Sequence, residues 1–260
     1  QEGKFNIFVG TGQALVIGAQ VNNLQTTASP TDATRLQVSY ENNGALIELS
    51  EKSLTSGELG GIFAFRSNTL DVSRNSLGRV AIGIATELNA QHKLGQDLNG
   101  QTGGNLFSVG QPSSTPSGNN TSSANIAASF DDVGKLTTSD YRVQYLAGVG
   151  PAPNYFKITR LSDGVVQTSG TLPAVMDGVN FDIAFNSAIP AVAVPPNVGD
   201  EFIVKPTAGA ASKFAIVITD TTKLAASVPL GTSLPATNTG SGRVDSSSVN
   251  SLLAGTSNSL

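Results

Sequence analysis

The chain opens with short apolar runs broken by turn residues. Residues 5–9 (FNIFV) and 14–17 (ALVI) flank Gly10-Thr11-Gly12, the pattern of a β-hairpin. Residues 35–40 (RLQVSY) alternate polar and apolar positions, residues 41–44 (ENNG) carry turn chemistry, and residues 45–49 (ALIEL) return, which predicts a second hairpin. At Thr55 the period changes from two to 3.6. Thr55 and Glu58 have capping-box spacing, and Leu59, Ile62, Phe63 and Leu70 follow on one stripe, so a first helix is expected to about Leu70. Asn75 or Ser76 is placed to cap a second helix, in which Leu77, Val80, Ala81, Ile84, Ala85 and Leu88 recur at the spacing of a buried face. Gly83 costs that helix about 1 kcal/mol relative to Ala, a cost that a closely packed neighbour would offset. His92 and Lys93 fall in its last turn, where positive charge suits the dipole, and Gly95 suits a left-handed residue after the end.

Residues 108–129 are dominated by Ser, Asn, Gly, Pro and Thr and read as a polar linker or loop. Strand-like runs follow at 141–146, 155–161, 165–168, 179–185 and 201–205, with turns at Asp163-Gly164 and Asp177-Gly178 and a lead-in at Gly199-Asp200. Residues 214–219 (FAIVIT) add a strand or return the chain to its first part. The fold class expected is therefore α+β: a helix-containing segment with β-hairpins, plus a small antiparallel β domain. The divisions are 1–107 (hairpins, then two helices of a helical domain), 108–130 (linker), 131–225 (β domain) and 226–260, a poorly structured end.

Composition narrows the function classes. Only 13% of residues are charged, and a net charge of −4 offers no footprint for a phosphate backbone, so nucleic acid is not expected as a partner. Cysteine is absent, which excludes disulfides, thiolate metal sites and cysteine nucleophiles, and suits a protein that crosses redox compartments unfolded. No apolar run approaches the roughly 20 residues that span a bilayer, so no membrane partner is expected. Gln1-Glu2-Gly3 is neither a start methionine nor a signal peptide, and the chain reads as a fragment or processed product.

Candidate chemistry is sparse. His92 is the one histidine, so neither a zinc set nor a nucleophile–base pair assembles around it, and a helix-end packing role is the better reading. Asp97-Leu98-Asn99-Gly100 resembles the start of a calcium loop, yet an EF-hand would need Gly and Glu where Thr102 and Ser108 stand; an Asx turn accounts for it. Gly10-Thr11-Gly12 imitates a dinucleotide fingerprint, but Leu15 occupies the third glycine position and a strand follows instead of a helix. Asp131-Asp132 and Asp200-Glu201 read as solvated turn acids. No catalytic, cofactor or metal residue is assigned.

The segments SGELGGIFAFRSNTL (56–70) and NSLGRVAIGIATELNAQHKLGQDLNGQTGGNLF (75–107) closely resemble the central region of the flagellar hook-associated protein 1 family, the junction proteins between hook and filament. FNIFVGTGQALVIG (5–18), VGDEFIVKPT (198–207) and ITDTTKLAAS (218–227) continue the likeness in collinear order. The resemblance implies a structural, self-assembling extracellular protein of the bacterial flagellum, exported through the type III apparatus, without catalysis or cofactor. It further implies contacts with copies of itself, the hook protein and the filament-side hook-associated protein. Family members carry long heptad helices at both termini, which this sequence lacks, so the 260-residue chain alone is expected to be monomeric. A secreted adhesin or carbohydrate-binding β module is the alternative, weakened by the absence of Trp and by only 4 Tyr. A secreted hydrolase is the weakest reading.

Overall fold

The computed structural model describes residues 5–10, 12–32, 34–42, 44–49, 51–150, 153–184 and 194–227. The expected poorly structured end falls almost wholly outside the described residues. In the first part, β1 (Asn6–Val9), β2 (Gln13–Ile17) and β3 (Gln20–Val21) form one antiparallel sheet. A second sheet joins β4 (Leu24–Ala28), β5 (Leu36–Asn42) and β6 (Ala45–Glu48) in that order. Both predicted hairpins are present, and β3 and β4 were not foreseen. Val38 and Tyr40 of β5 pack with Leu49, Leu54 and Phe63 in a small core, against which Val9 and Leu15 rest.

One helix, α1, then runs without a break over residues 57–93. It comprises α-helical Gly57–Phe65, a π-helical turn Arg66–Leu70, and α-helical Asp71–Lys93. This corrects the expectation of two helices. Asn75 and Ser76 cap nothing; Asn75 instead spends its amide on the β domain, and at the π turn Ser67 Oγ donates to the carbonyls of Phe63 (3.0 Å) and Ala64 (3.4 Å). The helix start is Ser56, whose side chain makes no capping bond. At the other end Leu94 is right-handed, and Gly95 is absent from the positive-φ residues: it is needed for space, since a Cβ there would lie 2.2 Å from the Ala225 carbonyl oxygen.

Beyond the helix, β7 (Phe107–Ser108) leads to β8 (Ser113–Pro116), β9 (Ile126–Phe130), β10 (Tyr141–Leu146), β11 (Tyr155–Arg160), β12 (Val166–Ser169), β13 (Ala174–Met176), β14 (Val179–Ile183), β15 (Glu201–Lys205) and β16 (Ala215–Ile216). A five-stranded sheet has the order β12-β11-β10-β15-β8, and a three-stranded sheet the order β13-β14-β9. The register aligns Ile158, Val143 and Phe202 in one fully buried row across three strands. Tyr141 meets Phe181 edge to face at 5.4 Å, joining the two sheets, and Ile82 of α1 enters the same core. At the β13–β14 turn Asp177 and Gly178 both have positive φ (51° and 74°), the conformation for which Asp-Gly is suited.

Residues 108–130 are not a linker: they contain β8, which pairs with β15, and β9, which pairs with β14. Their polarity serves Asp200, which is 1% exposed and not a solvated turn acid. Its carboxylate accepts from Thr121 N (2.8 Å), Asn197 N (2.9 Å) and the Ser122 hydroxyl. Burial alone would raise the Asp200 pKa, but these donors outweigh it and hold the group below its ordinary value. The run 214–219 returns to the helix end: β16 pairs with β7, and Phe214 stacks on Phe107 at 4.9 Å.

Candidate functional site

The two sides of α1 differ in chemistry. The inner side is small and polar, which is how a helix backbone comes close to a sheet. At Gly78 an added Cβ would lie 1.8 Å from the Thr207 carbonyl oxygen, whereas at Gly83 it would meet nothing within 4 Å. The close neighbour expected at Gly83 is therefore at Gly78. Around this contact Arg74 Nε donates to Ala208 O (2.8 Å), and Asn75 Nδ2 donates to Thr138 O (3.0 Å) and to Asp140 Oδ1 (3.2 Å). Asn89 accepts from the amides of Leu106 and Phe107 and donates to the Phe107 carbonyl, each at 2.8 Å.

His92 ends this side. It is buried, its Nε2 accepts from Ala225 N at 2.9 Å, and its Nδ1 therefore carries the proton that goes to Gly104 O at 2.9 Å. Both ring nitrogens are spent on backbone, so the imidazole splices residues 103–104 and 225 to the helix end. Nothing is left for an ion or a substrate.

A cleft beside α1 gathers the charged groups. Asp32, in the β4–β5 loop, pairs with Arg35 Nε (3.1 Å) and Lys205 Nζ (2.6 Å), and Arg35 reaches Asp71 on α1 (2.9 Å). Pro30 O accepts from Gly118 N (2.6 Å) and Ser117 Oγ (2.8 Å). The loop thus clasps the helix and the β domain together. Burial pushes the Asp140 carboxyl above its ordinary value, while at Asp32 the bonds from Lys205 and Thr34 outweigh burial and pull it below. The arrangement is an ion-paired fastening of loop, helix and β domain.

The remaining sequence candidates stay apart. Asp97 Oδ1 accepts from the amides of Asn99 (2.9 Å) and Gln101 (2.8 Å), an Asx-type turn. Gly10 (φ +60°) and Gly12 (φ +111°) form the β1–β2 turn. Asp131 is exposed, and Asp132 caps a short 3-10 turn through Gly134 N. Among the described residues no group of three or more His, Cys, Asp or Glu is placed to hold a metal ion, and no helix is long and apolar enough to cross a membrane.

The outer side of α1 is apolar and bare. Leu77, Val80, Ile84 and Leu88, expected in the core, are 64%, 58%, 45% and 43% exposed. Ile62, Phe65 and Leu70 are exposed as well. The buried positions of α1 are Gly60, Phe63, Asn75, Gly78, Ala81, Ile82, Ala85 and His92. Sequence reasoning missed Gly78, the contacts of Asn75 and the Asp32–Arg35 clasp. The available signal was the run of small and amide residues at helical spacing, which competes with a second stripe of larger apolar residues.

Residues 1–107 match the family model described as flagellar hook-associated protein FlgK helical domain, and residues 115–206 match that described as flagellar hook-associated protein 1, D2-like domain. The chain belongs to the flagellar hook-associated protein 1 family. It is 33% identical to flagellar hook-associated protein 1 of Escherichia coli K12 over 86% of this chain and 39% of that protein. With the Salmonella typhimurium protein it shares 30% identity over 86% of this chain and 38% of that one. The chain thus spans about two fifths of the length of these curated relatives. A solved structure of the flagellar hook junction protein FlgK from Burkholderia pseudomallei superposes with a TM-score of 0.75 at 34% identity, covering 87% of this chain and 40% of that one. The α+β architecture is that of this hook-associated family.

Proposed function

We propose that this chain is part of a structural junction component of the bacterial flagellum, joining hook to filament outside the cell by subunit contact and without catalysis. The observation that carries this reading is the bare apolar side of α1. A contiguous apolar face on a protein surface marks a packing interface. Set beside it, the buried polar groups described above hold parts of the fold together: Asn89 and His92 bond backbone, Asp32 is ion-paired with Lys205, and Asp200 accepts from Thr121, Ser122 and Asn197. The heptad helices implied by the family resemblance supply apolar seams of the kind that α1 lacks a partner for. They cover α1, while the antiparallel β domain, which runs from β8 (Ser113–Pro116) to β15 (Glu201–Lys205), faces outward from residues 1–107. The partners are copies of the same protein, the hook protein and the filament-side hook-associated protein. Export through the flagellar type III apparatus suits a chain without cysteine.

The test is electron microscopy of a deletion strain with and without the full-length protein. Filaments are expected to be shed or missing without it and restored with it. Filaments that attach normally in its absence would refute the role.

A further inference from the structure

The exposed side of α1 poses a problem of phase. On an uninterrupted α-helix, at about 100° per residue, Phe65 would lie roughly 120° and Ile62 roughly 60° around from Leu77, both to the same side. Phe63 would lie about 100° away from Ile82. The observed burial contradicts that phase: Phe63 is buried like Ile82, and Phe65 is exposed like Leu77. The π-helical turn Arg66–Leu70 resolves it. A π turn adds one residue to the helix, shifting everything before it by about 100°. Phe65 then falls about 20° from the Leu77 line and Ile62 about 40° on its other side, while Phe63 comes to the azimuth of Ile82.

Two fastenings hold this turn. Its first residue, Arg66, is ion-paired with Glu51, donates to Leu36 O at 3.2 Å and lies 5.1 Å from the Phe63 ring centroid. Asp71, just after it, is ion-paired with Arg35 at 2.9 Å. Within the turn, the Ser67 hydroxyl donates to the carbonyl oxygens of Phe63 and Ala64 one turn back.

We propose that the π turn is a register device: it lets the inner side of one helix serve two different platforms, the β4–β6 sheet and the β domain, while the outer side remains one unbroken apolar seam. The occupant is a single α-helix of the same polypeptide, from the length by which its relatives exceed this chain. Leu70, Leu77 and Ile84 recur at seven-residue intervals, the repeat of a coiled-coil seam. From Ile62 to Leu88 the seam is about 39 Å long at 1.5 Å per residue. Half-exposed side chains along it amount to roughly 600 Å² on one partner, near the ~800 Å² per side of a standard interface. The inference rests on the reading of this face as a packing interface and adds that the interface crosses the π turn.

Because the chain has no cysteine, single thiols report the seam cleanly. Phe65→Cys, Leu77→Cys and Ile84→Cys, with Val149→Cys in the β domain as an open reference, are reacted with a thiol reagent in this 260-residue chain and in the full-length chain. At all three helix positions the reaction is expected to slow at least tenfold in the full-length chain, with no change at Val149→Cys. Inserting one alanine after Asn68, a further residue that turns Phe65 by about 100° away from the Leu77 line, is expected to reopen Phe65→Cys and leave Leu77→Cys and Ile84→Cys protected, whereas deleting Asn68 keeps the phase and is expected to leave all three protected. Protection at 77 and 84 with 65 open in the native sequence overturns the register proposal and leaves the packing interface standing. So does a folded insertion variant that keeps 65 protected. No protection anywhere overturns both. The native-sequence comparison decides the matter even where the insertion variant does not fold.

Discussion

Ile82 and Ile84 are two residues apart on the same helix; the first is 0% exposed and the second 45%. On the side of Ile82 the helix is narrowed by Gly78, Ala81 and Ala85, and the β domain approaches to backbone contact. On the side of Ile84 the larger aliphatic residues, Leu77, Val80 and Leu88, stay about half exposed among the described residues. Bulk therefore does not identify the side on which this helix is already fastened. Small residues with amides at helical spacing mark the finished contact, and large apolar ones mark the side that packs elsewhere.

The comparison breaks most severely at Gly78. Gly78→Val forces the helix from Thr207 and is expected to cost roughly 3 kcal/mol or more, read from urea unfolding. Ile82→Ala comes next, at about 2–4 kcal/mol for a cavity in the shared core. Asp200→Asn is expected to cost about 2 kcal/mol at neutral pH, because it removes a buried acceptor with several donors aimed at it. Its pH dependence has a definite sign. The folded pKa lies below the unfolded value of about 3.9, so the native carboxylate's contribution is present above that pH and fades as pH falls through the folded value. The gap between native and Asp200→Asn unfolding free energies should close in that acid range; a gap that widened there would contradict the assignment. Smallest is Gly83→Ala, with open space at its Cβ position and an expected gain of about 0.5–1 kcal/mol. The contrast with Gly78, five residues earlier, is measurable in one denaturation series.

Much of the fold was legible in the sequence where signals are local. The β1–β2, β5–β6, β11–β12 and β13–β14 hairpins announce themselves through Gly, Asn-Asn-Gly and Asp-Gly turns, whose backbone requirement is met within a few residues. Two things were not legible. A π turn needs no proline, glycine or cap, so the five residues Arg66–Leu70 were indistinguishable from a helix end near Leu70. The polar run 108–129 was misread because composition does not reveal that Thr121 and Ser122 meet a carboxylate buried some eighty positions later. At the helix, periodicity gave two competing faces, and hydrophobicity alone favoured the wrong one for the contact within this chain. The clasp of Asp32, Arg35 and Asp71 is set by tertiary approach and has no sequence period at all.

The measurement closest to the central claim is a double substitution, Leu77→Glu with Ile84→Glu, read two ways. In the 260-residue chain the unfolding midpoint should stay within about 2 °C of native, since neither side chain supports the fold described. In the full-length protein the same change should abolish filament attachment to the hook. A chain that unfolds, or filaments that still attach, would contradict the account.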